Sequence, residues 1–318
     1  MARDIHLWPF FQFVNTQNTP LAVFCVYGLR WFATRLAVEK LWYFCIMKYM
    51  KNRIILGAGI ALLFVMFVPV ASASHSWNGF HWARTANPFI LELGDNVSSV
   101  WDSYLSTTAN DWSLSSVLDT VVKTGKTKPR VCKATNGRVE VCSEKYGFNG
   151  WLGIAQVWVS GNHIVKGAVK MNDTYFDTPT YNTVAWKNLV MCQEVGHTLG
   201  LDHQDEIFDN ANLNTCMDYT SDPLSNQHPN QHDYDELEVI YAHLDSINTV
   251  KSSDDSGDGG NGKGGGKGKP ENIGKDIDLN DPSAWGQAVR QDARGNNSLY
   301  VRNLGNGERV FTFVTWAR

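Results

Sequence analysis

At 318 residues, 43% of them hydrophobic, the chain is long enough for one substantial domain with appendages. Its formal net charge is −4, and because residues 1–73 carry seven Lys and Arg against two acids, the remaining residues are the acidic part. That balance argues against nucleic acid as a partner.

In chain order, the first organised signal is the apolar run 54–70, preceded by Lys48, Lys51 and Arg53 and followed by Ala71-Ser72-Ala73. A basic flank, an apolar stretch and small residues at an A-x-A site read as a secretory signal peptide over 47–73, cleaved after Ala73, so the protein is expected to be secreted. The competing reading is a membrane anchor over 54–70. At about 1.5 Å per residue that run reaches only some 25 Å, short of a hydrocarbon core of about 30 Å. Residues 1–46, crowded with aromatics such as Trp31, Trp42, Tyr43 and Phe44, do not suit a position before a signal peptide. They are read as an extension upstream of a true start at Met47 or Met50, with a genuine membrane-associated leader as the alternative.

The main domain is expected over 74–250. A first strand is predicted near 88–93, a helix over 99–113, then strands at 117–122, 151–159 and 163–171. Asn136-Gly137 between Cys132 and Cys142 predicts a hairpin that sets the two cysteines across from one another. A helical pattern runs through 181–199, and another over 234–244 in which Asp233 and Glu236 have capping-box spacing. Four cysteines, Cys132, Cys142, Cys192 and Cys216, follow the apolar run and permit three pairings. Free thiols or a Cys-ligated zinc are the alternatives to bridges, but no C-x-x-C spacing occurs.

The stretch carrying chemistry is Gln193-Glu194-Val195-Gly196-His197-Thr198-Leu199-Gly200-Leu201-Asp202-His203. Gln193 and His197, four apart, project from one helical face with Glu194 beside them. Gly200 allows a turn at positive φ that carries His203 back to the same point. Two imidazoles and a carboxylate so placed suggest a Zn2+ site, with Glu194 as general base toward a water. The string resembles the metzincin zinc metalloprotease signature H-E-x-x-H-x-x-G-x-x-H at Glu194, His197, Gly200 and His203, and departs from it at Gln193. Met217, within Cys216-Met217-Asp218-Tyr219, is similar to that family's Met-turn, and a Tyr two past the Met resembles the astacin and serralysin branches. The likeness spans roughly residues 86–245.

The resemblance implies an α+β, zincin-like fold: a twisted mixed sheet with an active-site helix and a C-terminal helix. It implies Gln193, His197 and His203 as metal ligands, Glu194 and Tyr219 as catalytic residues, and Gly200 and Met217 as structural ones. A Cys192–Cys216 bridge would fasten the active-site helix to the Met-turn. The family's substrate-pairing edge strand would fall on 161–170, giving main-chain hydrogen bonds to an extended peptide. His163 there reads as a surface residue. His232 is a candidate replacement ligand, although a structural role suits it better, and Asp202 and Asp205 are candidates to orient an imidazole or hold a second cation.

Residues 251–272 are rich in Gly, Lys, Ser and Asp and read as a flexible linker. Beyond it, 273–318 reads as a small β-rich C-terminal module with a hairpin around Gly305-Asn306-Gly307, expected to dock on the main domain or to contact a cell surface or matrix. The function expected is a secreted zinc-dependent endopeptidase acting on peptide or protein substrates. The alternative is a catalytically silent secreted binding protein that keeps the fold.

Overall fold

The computed structural model describes residues 74–250 and 280–318. The signal-peptide, leader and linker expectations fall outside these residues, as does the start of the C-terminal module. Among the described residues, no helix is long and apolar enough to cross a membrane.

The fold is mixed α/β, built on one twisted sheet. Its strands are β1 (His81–Trp82), β2 (Phe89–Asn96), β3 (Leu118–Thr124), β4 (Val139–Glu144), β5 (Trp151–Ser160), β6 (His163–Asn172), β7 (Gln287–Gln291), β8 (Asn297–Gly305) and β9 (Glu308–Trp316). The sheet runs β3-β2-β4-β6-β5-β9-β8-β7, with β1 pairing β6 off that path. Strands β3, β2, β4 and β6 are mutually parallel, and β5 lies antiparallel to β6. The helices are α1 (Asp102–Trp112), α2 (Asp173–Phe176), α3 (Val184–Thr198) and α4 (Gln231–Ile240).

Strands β5 and β6 are buried on both faces, which suits the near-continuous apolar run of β5. One face packs on α1 and α3 through a core that includes Leu93, Trp112, Val141, Val157, Val190 and Phe313. The other is covered by a smaller cluster around Trp151, Ile154, Trp158 and Trp285. Residues 280–318 therefore extend the same sheet, with β9 antiparallel to the outer edge of β5 from Trp151↔Trp316 to Ser160↔Glu308.

Three local expectations are corrected. Cys132 and Cys142 are bridged, but Cys132 sits in a loop at φ 47°, and the Asn136-Gly137 turn leads directly into β4 without a hairpin. The neighbours of β4 are the parallel strands β2 and β6. Helix α4 begins at Gln231, and its capping box is built by Asn230 and Asp233: the Asn230 side chain accepts from Asp233 N at 3.2 Å and the Asp233 carboxylate from Asn230 N at 2.8 Å. Residues 163–172 form β6, which is interior between β4 and β5, so 161–170 is not an edge strand.

Candidate metal centre

Helix α3 starts where the Thr183 side chain accepts from Trp186 N, and nearly its whole length is buried. It ends at Gly200, whose φ is 103° and where a Cβ would lie 2.5 Å from Phe80 O. Only glycine fits that turn. The turn carries His203 back over the helix, so that its Nε2 lies 3.0 Å from Nε2 of His197, with the rings at 88°.

The protons on these rings are fixed by their other nitrogens. His197 Nδ1 donates to the Leu201 carbonyl at 2.9 Å, and His203 Nδ1 donates to Glu206 Oε1 at 2.9 Å. In the neutral imidazoles both Nε2 atoms then carry lone pairs, and the lone pairs face each other. Burial holds the His197 imidazole well below its ordinary pKa. A proton on His197 is thus a poor way to relieve the repulsion, whereas a divalent cation shared by both nitrogens suits it.

Around this pair sit polar groups without hydrogen-bond partners. Both Glu194 carboxylate oxygens and the Tyr219 hydroxyl are buried with no such partner. Burial pushes the Glu194 carboxyl up to about 8, tempered by the nearby Thr315 hydroxyl and the Ala155 backbone. Burial likewise raises the Tyr219 phenol well above its ordinary value. Its ring lies 4.2 Å from that of His203 and stacks on Phe208 at 4.9 Å. A buried carboxylate and phenol with open valences beside two converging imidazoles fit a zinc ion with its water.

Gln193 is buried but engaged: its amide nitrogen donates to Cys216 O at 3.0 Å, and its oxygen accepts from Thr315 Oγ1 at 2.8 Å. That oxygen keeps a second lone pair for a metal. Met217 lies beneath α3, since a Cβ on Gly196 would come within 2.5 Å of its sulfur. The Cys192–Cys216 bridge ties the helix to this turn. Asp233 ties the turn to α4 and the N-terminal segment, accepting from Thr215 Oγ1 at 2.5 Å and bonded to His75 Nε2 at 3.0 Å. Gly153 of β5 permits close approach of the helix, because a Cβ there would meet Val190 Cγ1 at 2.5 Å and Glu194 Oε1 at 2.7 Å.

Several contributors were not foreseen from sequence. Glu206, three residues past His203, orients that ring, while Asp205 caps its own turn by accepting from Ile207 N. Arg290 of β7 pairs with Asp202 at 2.5 Å and with Glu206 at 2.9 Å. Phe313 of β9 stacks on His197. His232 stacks on His75, with ring centroids 4.8 Å apart. No local pattern marks Arg290 or Phe313, because both arrive through strands distant in sequence.

No family model matches the sequence, and no curated protein matches it. Among solved structures, the chain is similar to high choriolytic enzyme 1, a hatching-enzyme zinc-protease from the medaka fish Oryzias latipes. The identity is 12% and the TM-score 0.29, over 52% of this chain and 96% of that chain.

Proposed function

We propose that this protein is a secreted zinc-dependent endopeptidase. The observation that carries the reading is the pair of buried imidazole Nε2 atoms 3.0 Å apart, beside a Glu194 carboxylate without hydrogen-bond partners. His197 and His203 would hold the ion, with the Gln193 oxygen as third ligand. Bound zinc would supply Lewis-acid polarisation of a scissile carbonyl and of water. Glu194, as the ionised carboxylate, takes the proton from the attacking water and delivers it to the leaving amine. The Tyr219 hydroxyl, free of other bonds, donates to the developing oxyanion. Leu201 O and Glu206 keep the imidazoles in the ligating tautomer. Export is supported by the two disulfides, which form and persist in oxidising compartments.

A second reading, a catalytically silent binding protein, is favoured by one observation: the Gln193 amide already bonds Cys216 and Thr315. Metal analysis of the purified chain, with peptide-library hydrolysis in the presence and absence of chelator, separates the two. Stoichiometric zinc and chelator-sensitive cleavage that Glu194→Ala abolishes support the enzyme; zinc-free, inactive protein removes it.

A further inference from the structure

A second cluster of ligand atoms lies outside this centre. His81 from β1, His163 at the start of β6, and His243 and Asp245 beyond α4 turn toward one another. His163 Nε2 is 3.1 Å from Asp245 Oδ1, His81 Nε2 is 3.6 Å from the same oxygen, and His243 Nε2 is 3.7 Å from it. His243 Nε2 is also 3.1 Å from His81 Nε2. The His81 ring stands perpendicular to both other imidazoles, at 87° and 88°. A tetrahedral zinc site with bonds of about 2.0–2.1 Å separates its ligand atoms by roughly 3.3–3.4 Å, in the middle of these distances.

The surroundings prepare the same atoms. His81 Nδ1 donates to Gly79 O at 2.8 Å, which leaves Nε2 as an acceptor. Asp245 Oδ2 is taken by the Arg84 backbone N–H at 3.2 Å and its guanidinium at 2.9 Å, which leaves Oδ1 toward the cluster. Arg84 Nη2 donates to the Tyr241 and His243 carbonyls, and its Nε to Asn87 Oδ1 at 3.2 Å. His81 and Asp245 are nearly buried, while His243 is 57% exposed, so an ion can enter from solvent.

We propose that His81, His163, His243 and Asp245 form a second zinc site, which staples β1 and the segment after α4 to the β5–β6 turn. A two-residue strand pairing only with His163 and Ile164 is otherwise weakly held.

The test is equilibrium binding of Zn2+ and Co2+ to the metal-free full chain, beside a His163→Asn/His243→Asn variant that alters only partly or well exposed side chains. The variant is expected to bind one equivalent fewer and to lose at least tenfold of the metal-induced protection against unfolding. Two equivalents falling to one support both centres. One falling to none supports this site and removes the zinc at His197 and His203. Equal stoichiometry in the two chains, or no metal in the wild type, overturns the proposal.

A different observation carries a second inference, which rests on the endopeptidase reading. The outer edge of β5 runs past the candidate centre, with Gly153 against Glu194, so an extended peptide that pairs there passes over His197. Strand β9 lies on that path, with Phe313 on His197 and Thr315 bonded to Gln193. We infer that β9 is a resident occupant of the substrate strand position and holds the site latent until displaced.

A Gln156→Cys/Thr312→Cys pair, on directly opposed residues, locks the strand, and Phe313→Asp weakens it. Binding of a fluorescent peptide copying residues 308–316, and hydrolysis of a peptide library, are both expected to rise at least tenfold in the weakened chain and to vanish in the locked one. Binding gained without hydrolysis supports the occupancy and removes the endopeptidase. Unchanged binding and hydrolysis in both chains, with far-ultraviolet circular dichroism intact, overturn the inference; if Phe313→Asp fails to fold, the locked chain against the wild type decides it, peptide binding lost in the lock supporting the inference and equal binding overturning it.

Discussion

Phe313 lies flat on the His197 imidazole, with ring centroids 4.1 Å apart and planes at 11°. An aromatic side chain from β9, remote in sequence but next to β5 in the sheet, thus covers a ring proposed to hold metal. Phe313→Ala should cost about 3 kcal/mol of stability through the cavity left behind. The His197 ring-proton resonances should shift in the same variant, as read by NMR.

Gln193→His should tighten zinc on the order of tenfold or more, because imidazole is the stronger donor. The same change removes the acceptor for Thr315 Oγ1 and loosens β9. Competition with a chromogenic chelator measures the first effect, and hydrogen exchange across residues 308–316 the second. An unchanged zinc affinity would mean that residue 193 does not face the ion.

Gly153→Ala places a methyl within 3 Å of Val190 and Glu194 side-chain atoms. Overpacking at a helix–strand contact typically costs about 1–3 kcal/mol. Urea unfolding should report that loss, and hydrolysis should fall further than stability does, because the proposed general base, Glu194, is itself displaced.

Lys166 offers a pH test away from the centre. Burial, with a contribution from Lys133, lowers its pKa to about 8. The folded chain therefore releases this proton before the unfolded chain does, and stability rises as pH climbs from about 8 to the ordinary lysine value of 10.5. Below about 8 that contribution is gone. In Lys166→Met the rise should flatten relative to wild type, as followed by thermal melts across the window.

Replacing Cys192 and Cys216 by Ala should cost about 3 kcal/mol, chiefly through the freed unfolded chain. The bridge closes a separation of 24 residues between α3 and the turn carrying Met217. Denaturant midpoints of the two chains measure the effect, and metal affinity should fall with it.

What the sequence disclosed was local. The four-residue spacing of Gln193 and His197 and the positive-φ turn at Gly200 put His203 in place without any knowledge of the sheet. Strand order was not available in the same way. Strands β5 and β6 are both buried along nearly their whole length, so periodicity does not say which strands each of them pairs with. The Asn136-Gly137 pair announced a turn, and a turn does form, but β4 takes its partners from parallel strands. The addition of β9 to β5 depends on edge complementarity between remote segments, which no window of neighbouring residues encodes.

The remoteness of β9 from β5 also bears on how the molecule is assembled. Gln156 opposes Thr312, so the loop enclosed by this pairing is long and its closure comes after the local elements have collapsed. During that interval a bare, apolar strand margin is exposed, open to the same hairpin from another copy. Refolding at high concentration should therefore yield strand-exchanged dimers, while dilute refolding yields monomers, and gel filtration of the two preparations would separate the species.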